Sequence, residues 1–301
     1  MLRTSHAITT VGVMILAGAA ARADQTSAEC VKDNTLYQSA ASNPLSNGSG
    51  PGMFCGKSGG GIIHRALMKF DVASVVPAGS TINSVTLRLQ CTQSPNGTLR
   101  TCTLYKLLAD WGEGTSYASG GGGGGDVAAP GDATWFNRFQ ATATSPAIPW
   151  TTPGGDFSPI SSASTQVGAY GTPVSWGPSS QMVADVQSWL DNPSTNFGWV
   201  LRGVETSSQT ARKFGTREEI TAAYHPKLSI DYTPPATCND IDFNNDGLLP
   251  DTQDIADFLA VFSGAACPGE SCDTIDFNND GSFPDSGDID ALLRVFSGGA
   301  C

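Results

Sequence analysis

Apolar and polar residues alternate in several short runs between residues 24 and 232. The clearest runs are "RALMKFDV" (65–72), "SVTLRLQC" (84–91), "RTCTLYKLL" (100–108), "GWVLRGV" (198–204) and "KLSIDYT" (227–233). This alternation predicts β-strands with one buried face, because successive side chains of a strand point to opposite sides of a sheet. Gly- and Pro-rich segments lie between the runs and predict turns.

One segment of the same region repeats its apolar residues with a helical period. The stretch "SSQMVADVQSWLDN" (179–192) predicts a helix whose apolar stripe holds Met182, Val183, Val186, Trp189 and Leu190. Many short strands with a single helix predict a mainly β fold, a jelly-roll β-sandwich spanning residues 24–232. A parallel α/β fold is disfavoured because the helices that should alternate with its strands are missing.

The first 23 residues have the pattern of a secretory signal peptide. Arg3 precedes an apolar stretch at residues 7–20, and small residues surround a predicted cleavage site after Ala23. We therefore expect a secreted protein, extracellular or associated with the cell surface, with no membrane insertion after cleavage. A retained N-terminal anchor is the alternative.

Eight cysteines follow this segment, an even number in a chain expected to reach an oxidising compartment. Disulfides are therefore expected. Cys91 and Cys102 flank a Pro-Asn-Gly turn, which predicts a disulfide between adjacent strands. A structural zinc site is disfavoured, because the chain has no C-x-x-C motif and keeps only His64 and His225 after cleavage.

The net charge of −12 comes from the C-terminal part of the chain. Residues 238–301 hold 13 of the 28 acidic residues and a single base, Arg294, whereas acids and bases balance in the remainder. Nucleic acid is disfavoured as a partner, since neither part offers a basic face. The segment "TPPATC" separates the two parts, and residues 233–237 are interpreted as a linker.

The acidic part is a duplication with a period of 34 residues, because "DIDFNNDGLLPD" (240–251) returns as "TIDFNNDGSFPD" (274–285). Oxygen-bearing side chains lie at positions 1, 3 and 5 of each copy: Asp242, Asn244 and Asp246, then Asp276, Asn278 and Asp280. Calcium binds six to eight oxygen atoms, and alternate side chains of a tight loop can point at one such ion. The spacing therefore predicts two calcium ions, one in each loop.

The residues at positions 6 and 7 agree with a calcium loop. Gly247 and Gly281 occupy position 6, where a sharp turn is required after the third ligand. Position 7 offers a backbone carbonyl, from Leu248 in the first copy and Ser282 in the second. A disordered acidic tail is the alternative, but it would not be expected to repeat glycine, cysteine and aromatic positions in register.

The acid that closes each calcium shell does not lie at the standard position 12, where this chain has Gln253 and Gly287. Acids lie instead at positions 10 and 13 of the two loops: Asp251, Asp254, Asp285 and Asp288. We predict a loop expanded by one residue, in which the acid at position 13, Asp254 or Asp288, closes the shell. The acid at position 10 is the alternative ligand.

Each loop is followed by one predicted helix that ends at a glycine, "DIADFLAVFSG" (254–264) or "DIDALLRVFSG" (288–298). Two short helices bury little apolar surface, so calcium and disulfides are expected to stabilise this domain. Two disulfide patterns respect the duplication. The bonds lie within each copy, or they join Cys267 to Cys272 and Cys238 to Cys301.

A calcium loop followed by one helix, used twice, resembles the dockerin family. The repeated "DFNNDG", "PD" and "VFSG" motifs with their cysteines are similar to a cysteine-framed dockerin variant of bacterial secreted proteins, over residues 238–301. The resemblance implies a small α-helical domain that docks onto a cohesin-like protein module through helix faces near the calcium loops. The expanded loop and the terminal cysteines depart from the standard dockerin pattern.

The segments "DNTLYQ", "DWGEGTSY", "ATWFNRF" and "DVQSWLDNPSTNFGWVLRG" resemble the DNRLRE family of secreted β-sandwich modules. That family is related to disaggregatase repeats and to some carbohydrate-binding modules. The resemblance spans roughly Asp33 to Thr233 and implies a β-sandwich fold, and such sandwiches sometimes carry a structural calcium ion. Asp33, Asp71 and Asp156 could contribute to such a site, but the sequence does not group them.

Binding is a better interpretation of the first domain than catalysis. The chain contains no G-x-S-x-G or H-E-x-x-H motif. Trp111, Trp135 and Trp150 flank glycine-rich loops and are predicted to stack on sugar rings, whereas Trp189 and Trp199 are predicted core residues. We expect a secreted non-catalytic protein that binds polysaccharide or a surface component. A structural or adhesive envelope protein and a polysaccharide-degrading enzyme are the alternatives.

Overall fold

The computed structural model describes residues 23–235, 238–248, 251–267, 272–282, 284–299 and 301. The predicted signal peptide lies outside these residues up to Arg22, as do residues 236–237 of the predicted linker. The described residues form two compact units, Ala23–Pro235 and the part that starts at Cys238. Among the described residues, no helix is long and apolar enough to cross a membrane.

The first unit is built mainly from strands. They are β1 (Asp24–Tyr37), β2 (Leu45–Ser46), β3 (Met53–Lys57), β4 (Ile63–Phe70), β5 (Thr81–Gln93), β6 (Arg100–Leu107), β7 (Asp126–Val127), β8 (Asn137–Phe139), β9 (Ile148–Pro149), β10 (Phe157–Val167), β11 (Pro173–Trp176), β12 (Trp199–Arg202), β13 (Arg212–Phe214) and β14 (Lys227–Thr233). One α-helix, α1 (Ser180–Asp191), and two short 3₁₀ turns, Pro193–Thr195 and Ala222–Tyr224, complete it.

Ten strands form one antiparallel sheet in the order β1-β14-β5-β13-β3-β4-β12-β6-β10, with β11 paired to β5. The first half of β1 pairs with β14, and its second half pairs with β4. The change of partner coincides with a bulge between Cys30 and Lys32, a feature that bends a strand. Because β1 pairs with both β14 and β4, the strands from β1 to β4 in this order form a closed ring. The predicted mainly β fold is confirmed, and the pairing in this sheet is antiparallel.

The main core lies on the inner face of this sheet. Alternate residues of β5, namely Val85, Leu87, Leu89 and Cys91, are completely buried in it, as the period of two predicts. The helix α1 begins after Ser179, whose hydroxyl accepts a hydrogen bond from the amide of Met182.

The apolar stripe of α1 packs into the same core through Met182, Val186, Trp189 and Leu190. The predicted helix is therefore confirmed. Trp189 and Trp199 are fully buried, with ring centroids 4.5 Å apart, so both are core residues as predicted.

A second apolar cluster covers the opposite face of β4, β12 and β6. Leu67 and Val200 point away from the main core and are nevertheless completely buried. They pack against side chains from the long connection between β6 and β10, residues 108–156. A strand buried on both faces does not show clean alternation, because both sets of side chains must be apolar.

The predicted disulfide between Cys91 and Cys102 is wrong. Both thiols are free and buried. The turn between them does not connect paired strands, because β5 pairs with β14, β13 and β11 whereas β6 pairs with β12 and β10. Cys102 instead lies against Cys55, with the two Sγ atoms 3.5 Å apart.

The second unit contains the two helices α2 (Thr252–Phe262) and α3 (Ser286–Phe296). Its apolar cluster is small and holds buried residues from both copies of the duplication: Phe243, Phe258, Ile275, Phe277, Ala291 and Leu292. Disulfides join Cys238 to Cys301 and Cys267 to Cys272, which is one of the two patterns that the duplication allows. The first of these bonds joins the two ends of the unit, which compensates for a small core.

Candidate functional site

The two acidic loops have the backbone conformation that their sequence requires. Asn245 and Asn279, at position 4, have φ angles of 56° and 52°, and Gly247 and Gly281, at position 6, have φ angles of 81° and 79°. Glycine adopts this left-handed conformation without strain, and asparagine tolerates it better than most residues. The repeated Asn-Asp-Gly therefore folds each loop tightly.

In the first loop, the side chains at positions 1, 3 and 5 turn back onto the loop's own backbone. The Asp242 carboxylate accepts hydrogen bonds from the amides of Asp246 and Gly247 at 3.0 and 2.8 Å. The Asn244 side-chain oxygen also accepts from the Asp246 amide, and the Asp246 carboxylate accepts from the Leu248 amide at 2.8 Å. These bonds hold three oxygen-bearing side chains on the inner side of one turn.

The second loop repeats these bonds. The Asp276 carboxylate accepts from the amides of Asp280 and Gly281 at 3.1 and 3.0 Å. The Asn278 side-chain oxygen accepts from the Asp280 amide, and the Asp280 carboxylate accepts from the Ser282 amide at 2.7 Å. The duplication in sequence is thus also a duplication in hydrogen bonding.

The acids at position 13 are completely buried at the start of the helices. Asp254 uses Oδ2 to accept a bond from the Asp251 amide at 3.1 Å, while its Oδ1 is buried without a partner. The Oδ1 atom of Asp288 accepts from the amide of Asn278, at position 3 of the second loop, at 3.5 Å. Burial raises the pKa of Asp288, because a charged carboxylate loses its hydration there.

The acids at position 10 have a different task, because they cap the helices. The Asp251 carboxylate accepts from the Gln253 amide at 2.7 Å, and the Asp285 carboxylate accepts from the Gly287 amide at the same distance. These bonds satisfy helix amides that have no partner within the helix.

The oxygen donors fit calcium in chemical type, although they are engaged with backbone amides here. Among the described residues, no three His, Cys, Asp or Glu side chains converge as a ready-made metal site. Each loop also offers an asparagine oxygen and a backbone carbonyl, which calcium accepts as ligands. The unpartnered Oδ1 of buried Asp254 is the atom that a cation would satisfy. Calcium binding stays a prediction.

Trp111, Trp135 and Trp150 do not form an exposed aromatic platform. Their exposed fractions are 0, 6 and 4%. The Nε1 atoms of Trp111 and Trp150 donate to the carbonyls of Phe197 and Thr134, both at 2.9 Å. The three rings cover the outer face of the sheet in the second apolar cluster. A sugar ring therefore has no access to their faces, which corrects the expectation from the sequence.

The three aspartates considered for calcium in the first unit do not form a cluster. Asp156 accepts from the amides of Thr151 and Thr152, both at 2.9 Å, and closes a turn. Asp71 is exposed, whereas Asp33 is completely buried and accepts from the Arg217 amide at 3.0 Å. No metal cluster is present among the described residues.

Asp33, in the second half of β1, belongs to a group of charged side chains. Its amide donates a hydrogen bond to the Glu113 carboxylate, which also accepts two bonds from the Arg217 guanidinium, at 2.8 and 2.7 Å. Burial and the nearby charge of Glu218 raise the pKa of Asp33 well above its usual range. Such a carboxyl group favours its neutral form.

A cleft of about 300 Å³ adjoins this group and is lined by Ser49, Pro51, Tyr117, Glu218, Glu219 and Ile220. Tyr117 is 57% exposed there. An aromatic face next to carboxylates and a hydroxyl is a suitable surface for a sugar, which has both apolar ring faces and hydroxyl donors. Sequence patterns do not single out Tyr117, because it lies at the end of the "DWGEGTSY" segment, in a Gly- and Ser-rich loop without periodicity.

A larger open groove, of about 590 Å³, lies beside the start of β10. Arg65 lines it and stacks over the Trp135 ring, with 4.6 Å between the guanidinium carbon and the ring centroid. The Arg65 charge is neutralised by Glu205, at 2.8 Å, which also pairs with Arg202. These arginines are therefore engaged within the protein and are less suited than a free cation to bind an anion.

No protein-family model matches the chain, and no curated protein matches it. The interpretation of both units therefore depends on their motifs and their geometry. The acidic loops carry the more specific signal, since spacing, backbone conformation and hydrogen bonds agree in both copies.

Proposed function

We propose that the chain is a secreted, non-catalytic modular protein. Its C-terminal unit is a dockerin-type domain that binds two calcium ions and docks onto a cohesin-like partner. Its N-terminal unit is a jelly-roll sandwich of DNRLRE type that binds carbohydrate or another component of a cell surface or matrix. The protein thereby links a surface ligand to the partner outside the cell.

The observation that carries this proposal is the buried carboxylate of Asp254, whose Oδ1 has no hydrogen-bond partner. A buried acceptor without a partner costs free energy, and a bound cation removes that cost. The first ion would be held by Asp242, Asn244, Asp246, the Leu248 carbonyl and Asp254. The second would be held by Asp276, Asn278, Asp280, the Ser282 carbonyl and Asp288. Calcium would supply the positive charge that offsets these carboxylates.

Calcium titration of the full chain tests the proposal. Isothermal calorimetry is expected to give two ions per chain, and the double variant Asp254→Asn with Asp288→Asn is expected to bind neither. The replacement keeps the shape of each side chain and removes its charge. Asp290→Asn is the matched control, because Asp290 lies on α3 and is exposed. If the wild-type chain shows no heat of calcium binding, the proposal is overturned.

Two leucines at equivalent positions of the duplication mark the helix faces available for docking. Leu259 on α2 and Leu293 on α3 are 42 and 47% exposed although their neighbours Phe258 and Leu292 are buried. Exposed apolar residues of this kind support protein interfaces. We expect a calcium-dependent complex with a cohesin module, and loss of that complex when both leucines are replaced by aspartate. Arg294→Ala serves as the control for a general effect of surface substitution.

For the first unit, the exposed ring of Tyr117 favours carbohydrate binding at its cleft. Binding to a glycan array by the full chain is expected to disappear in Tyr117→Ala. Tyr170→Ala is the matched control, because Tyr170 is 65% exposed and does not line that cleft. If the protein binds no glycan on the array but is retained in cell-wall fractions, a structural or adhesive protein is favoured instead. Release of sugar ends by the purified protein would favour a polysaccharide-degrading enzyme.

A further inference from the structure

Two buried cysteines of the first unit face each other across the core. The Sγ atoms of Cys55 on β3 and Cys102 on β6 are 3.5 Å apart, and neither residue has any exposed surface. The two strands are not paired in the sheet, since β4 and β12 lie between them in the strand order. We propose that Cys55 and Cys102 form a disulfide when the chain folds under oxidising conditions.

The two sulfur atoms need to move only a short distance to form this bond. A disulfide needs its sulfur atoms about 2 Å apart, so the two side chains must approach by about 1.5 Å in total. Rotation of both side chains about their Cα–Cβ bonds would bring the sulfur atoms this much closer. The pairing would join positions 47 residues apart and would tie β3 to β6, which no backbone hydrogen bond connects.

The other two cysteines of this unit have partners on their own strands. The Cys91 thiol donates to the Gln93 carbonyl at 3.6 Å. The Cys30 thiol donates to the Lys32 carbonyl at 3.4 Å. Among the described residues of Ala23–Pro235, the hydrogen bond that joins two cysteine thiols is the one between Cys55 and Cys102. The geometry thus selects Cys55 as the partner of Cys102, although Cys91 is closer to Cys102 in sequence.

The bond must form before the core is closed. Contact with Cys102 and burial raise the pKa of Cys55 well above its usual range, so Cys55 is held as a thiol in the folded protein. The thiolate is the form that attacks a disulfide, and a buried thiol also has no access to an oxidant. Oxidation of the folded, reduced protein is therefore expected to be slow.

The reaction balances with a disulfide oxidant such as glutathione disulfide. One cysteine thiolate attacks the oxidant and forms a mixed disulfide, which releases one glutathione. The second cysteine thiolate attacks the protein sulfur of that mixed disulfide, forms the Cys55–Cys102 bond and releases a second glutathione. The protein loses two protons and two electrons, and the oxidant accepts them.

Peptide mapping tests the pairing directly. The full chain is refolded from the reduced state with glutathione and glutathione disulfide until both disulfides of the second unit have formed. Free thiols are then alkylated under denaturing conditions, and the protein is digested with trypsin. The four cysteines of the first unit fall in separate tryptic peptides, 23–32, 33–57, 89–100 and 101–106.

A peptide 33–57 linked to 101–106, which separates on reduction, is the expected result. A link between 89–100 and 101–106 would show that Cys91 is the partner and would overturn the proposal. Complete alkylation of 33–57 and 101–106 would also overturn it, because the formed bonds of the second unit show that the conditions were oxidising. In Cys55→Ala, the 101–106 peptide should become fully alkylated, whereas Cys91→Ala should leave the 33–57 link intact.

Discussion

Asp251 and Asp254 accept hydrogen bonds from each other's backbone amides across the first turn of α2. The Asp251 carboxylate accepts from the Asp254 amide at 3.3 Å, and the Asp254 carboxylate accepts from the Asp251 amide at 3.1 Å. Asp285 and Asp288 form the same reciprocal pair at the start of α3. Only the second acid of each pair is completely buried, so the two acids are expected to respond differently to mutation.

Replacing Asp251 by alanine should remove a helix cap without removing a calcium ligand. We expect a loss of about 1 kcal/mol in the free energy of unfolding of the second unit, the usual effect of a lost cap, with two calcium ions still bound. Asp254→Asn should instead reduce the stoichiometry from two ions to one. Calorimetry and denaturant unfolding of each variant measure both quantities. Equal loss of calcium in the two variants would contradict this division of tasks.

Local patterns were enough to predict the loops and helices of the second unit. Its turn residues, such as Asn245 and Gly247, lie next to the side chains they position, so spacing along the chain determines the geometry. Sequence alone does not distinguish the acids at positions 10 and 13, because both lie within one helical turn. Burial and an unpartnered oxygen distinguish Asp254.

The first unit shows where sequence patterns are insufficient. Alternation predicted β5, and a helical period predicted the stripe of α1, because both patterns depend on neighbours in sequence. The burial of Trp150 and the contact between Cys55 and Cys102 depend on how distant strands are arranged. The glycine-rich loops around the tryptophans suggested exposure. In the structure, these loops cover the outer face of a sheet that is apolar on both of its faces.

His64 should make the stability of the first unit depend on pH. It is 1% exposed, contacts the Tyr37 ring and has an unpartnered Nδ1, and burial lowers its pKa from 6.5 to about 4. The unfolded chain therefore binds a proton more readily than the folded one between these values. Stability is complete above about pH 6.5 and falls by up to about 3 kcal/mol as the pH drops to 4.

The measurement is the unfolding free energy of wild type and His64→Gln between pH 4 and 7. Buried carboxyl groups with raised pKa values, such as Asp33 and Glu218, contribute with the opposite sign in both proteins. The difference between the two curves isolates the contribution of His64. A difference that does not change with pH would contradict the prediction.

Trp150 and Tyr117 should give opposite phenotypes. Trp150→Ala removes a buried indole from the second apolar cluster and is expected to cost about 3–5 kcal/mol in stability. Tyr117→Ala removes an exposed ring and is expected to change stability by less than about 0.5 kcal/mol while abolishing glycan binding. Denaturant unfolding beside a glycan-binding assay separates the two effects. Loss of binding with unchanged stability in Trp150→Ala would contradict the assignment.

Calcium should stabilise the second unit and leave the first unchanged. The proposed ligands all lie in 242–288, and the first unit has its own core. A ligand at 100 times its dissociation constant stabilises the bound state by about 2.7 kcal/mol per site. Calorimetric scans of the full chain with calcium and with EDTA are therefore expected to show two transitions, of which one moves to lower temperature in EDTA. The Asp254→Asn and Asp288→Asn double variant should unfold at the EDTA temperature under both conditions. Movement of both wild-type transitions would mean that calcium also binds the first unit.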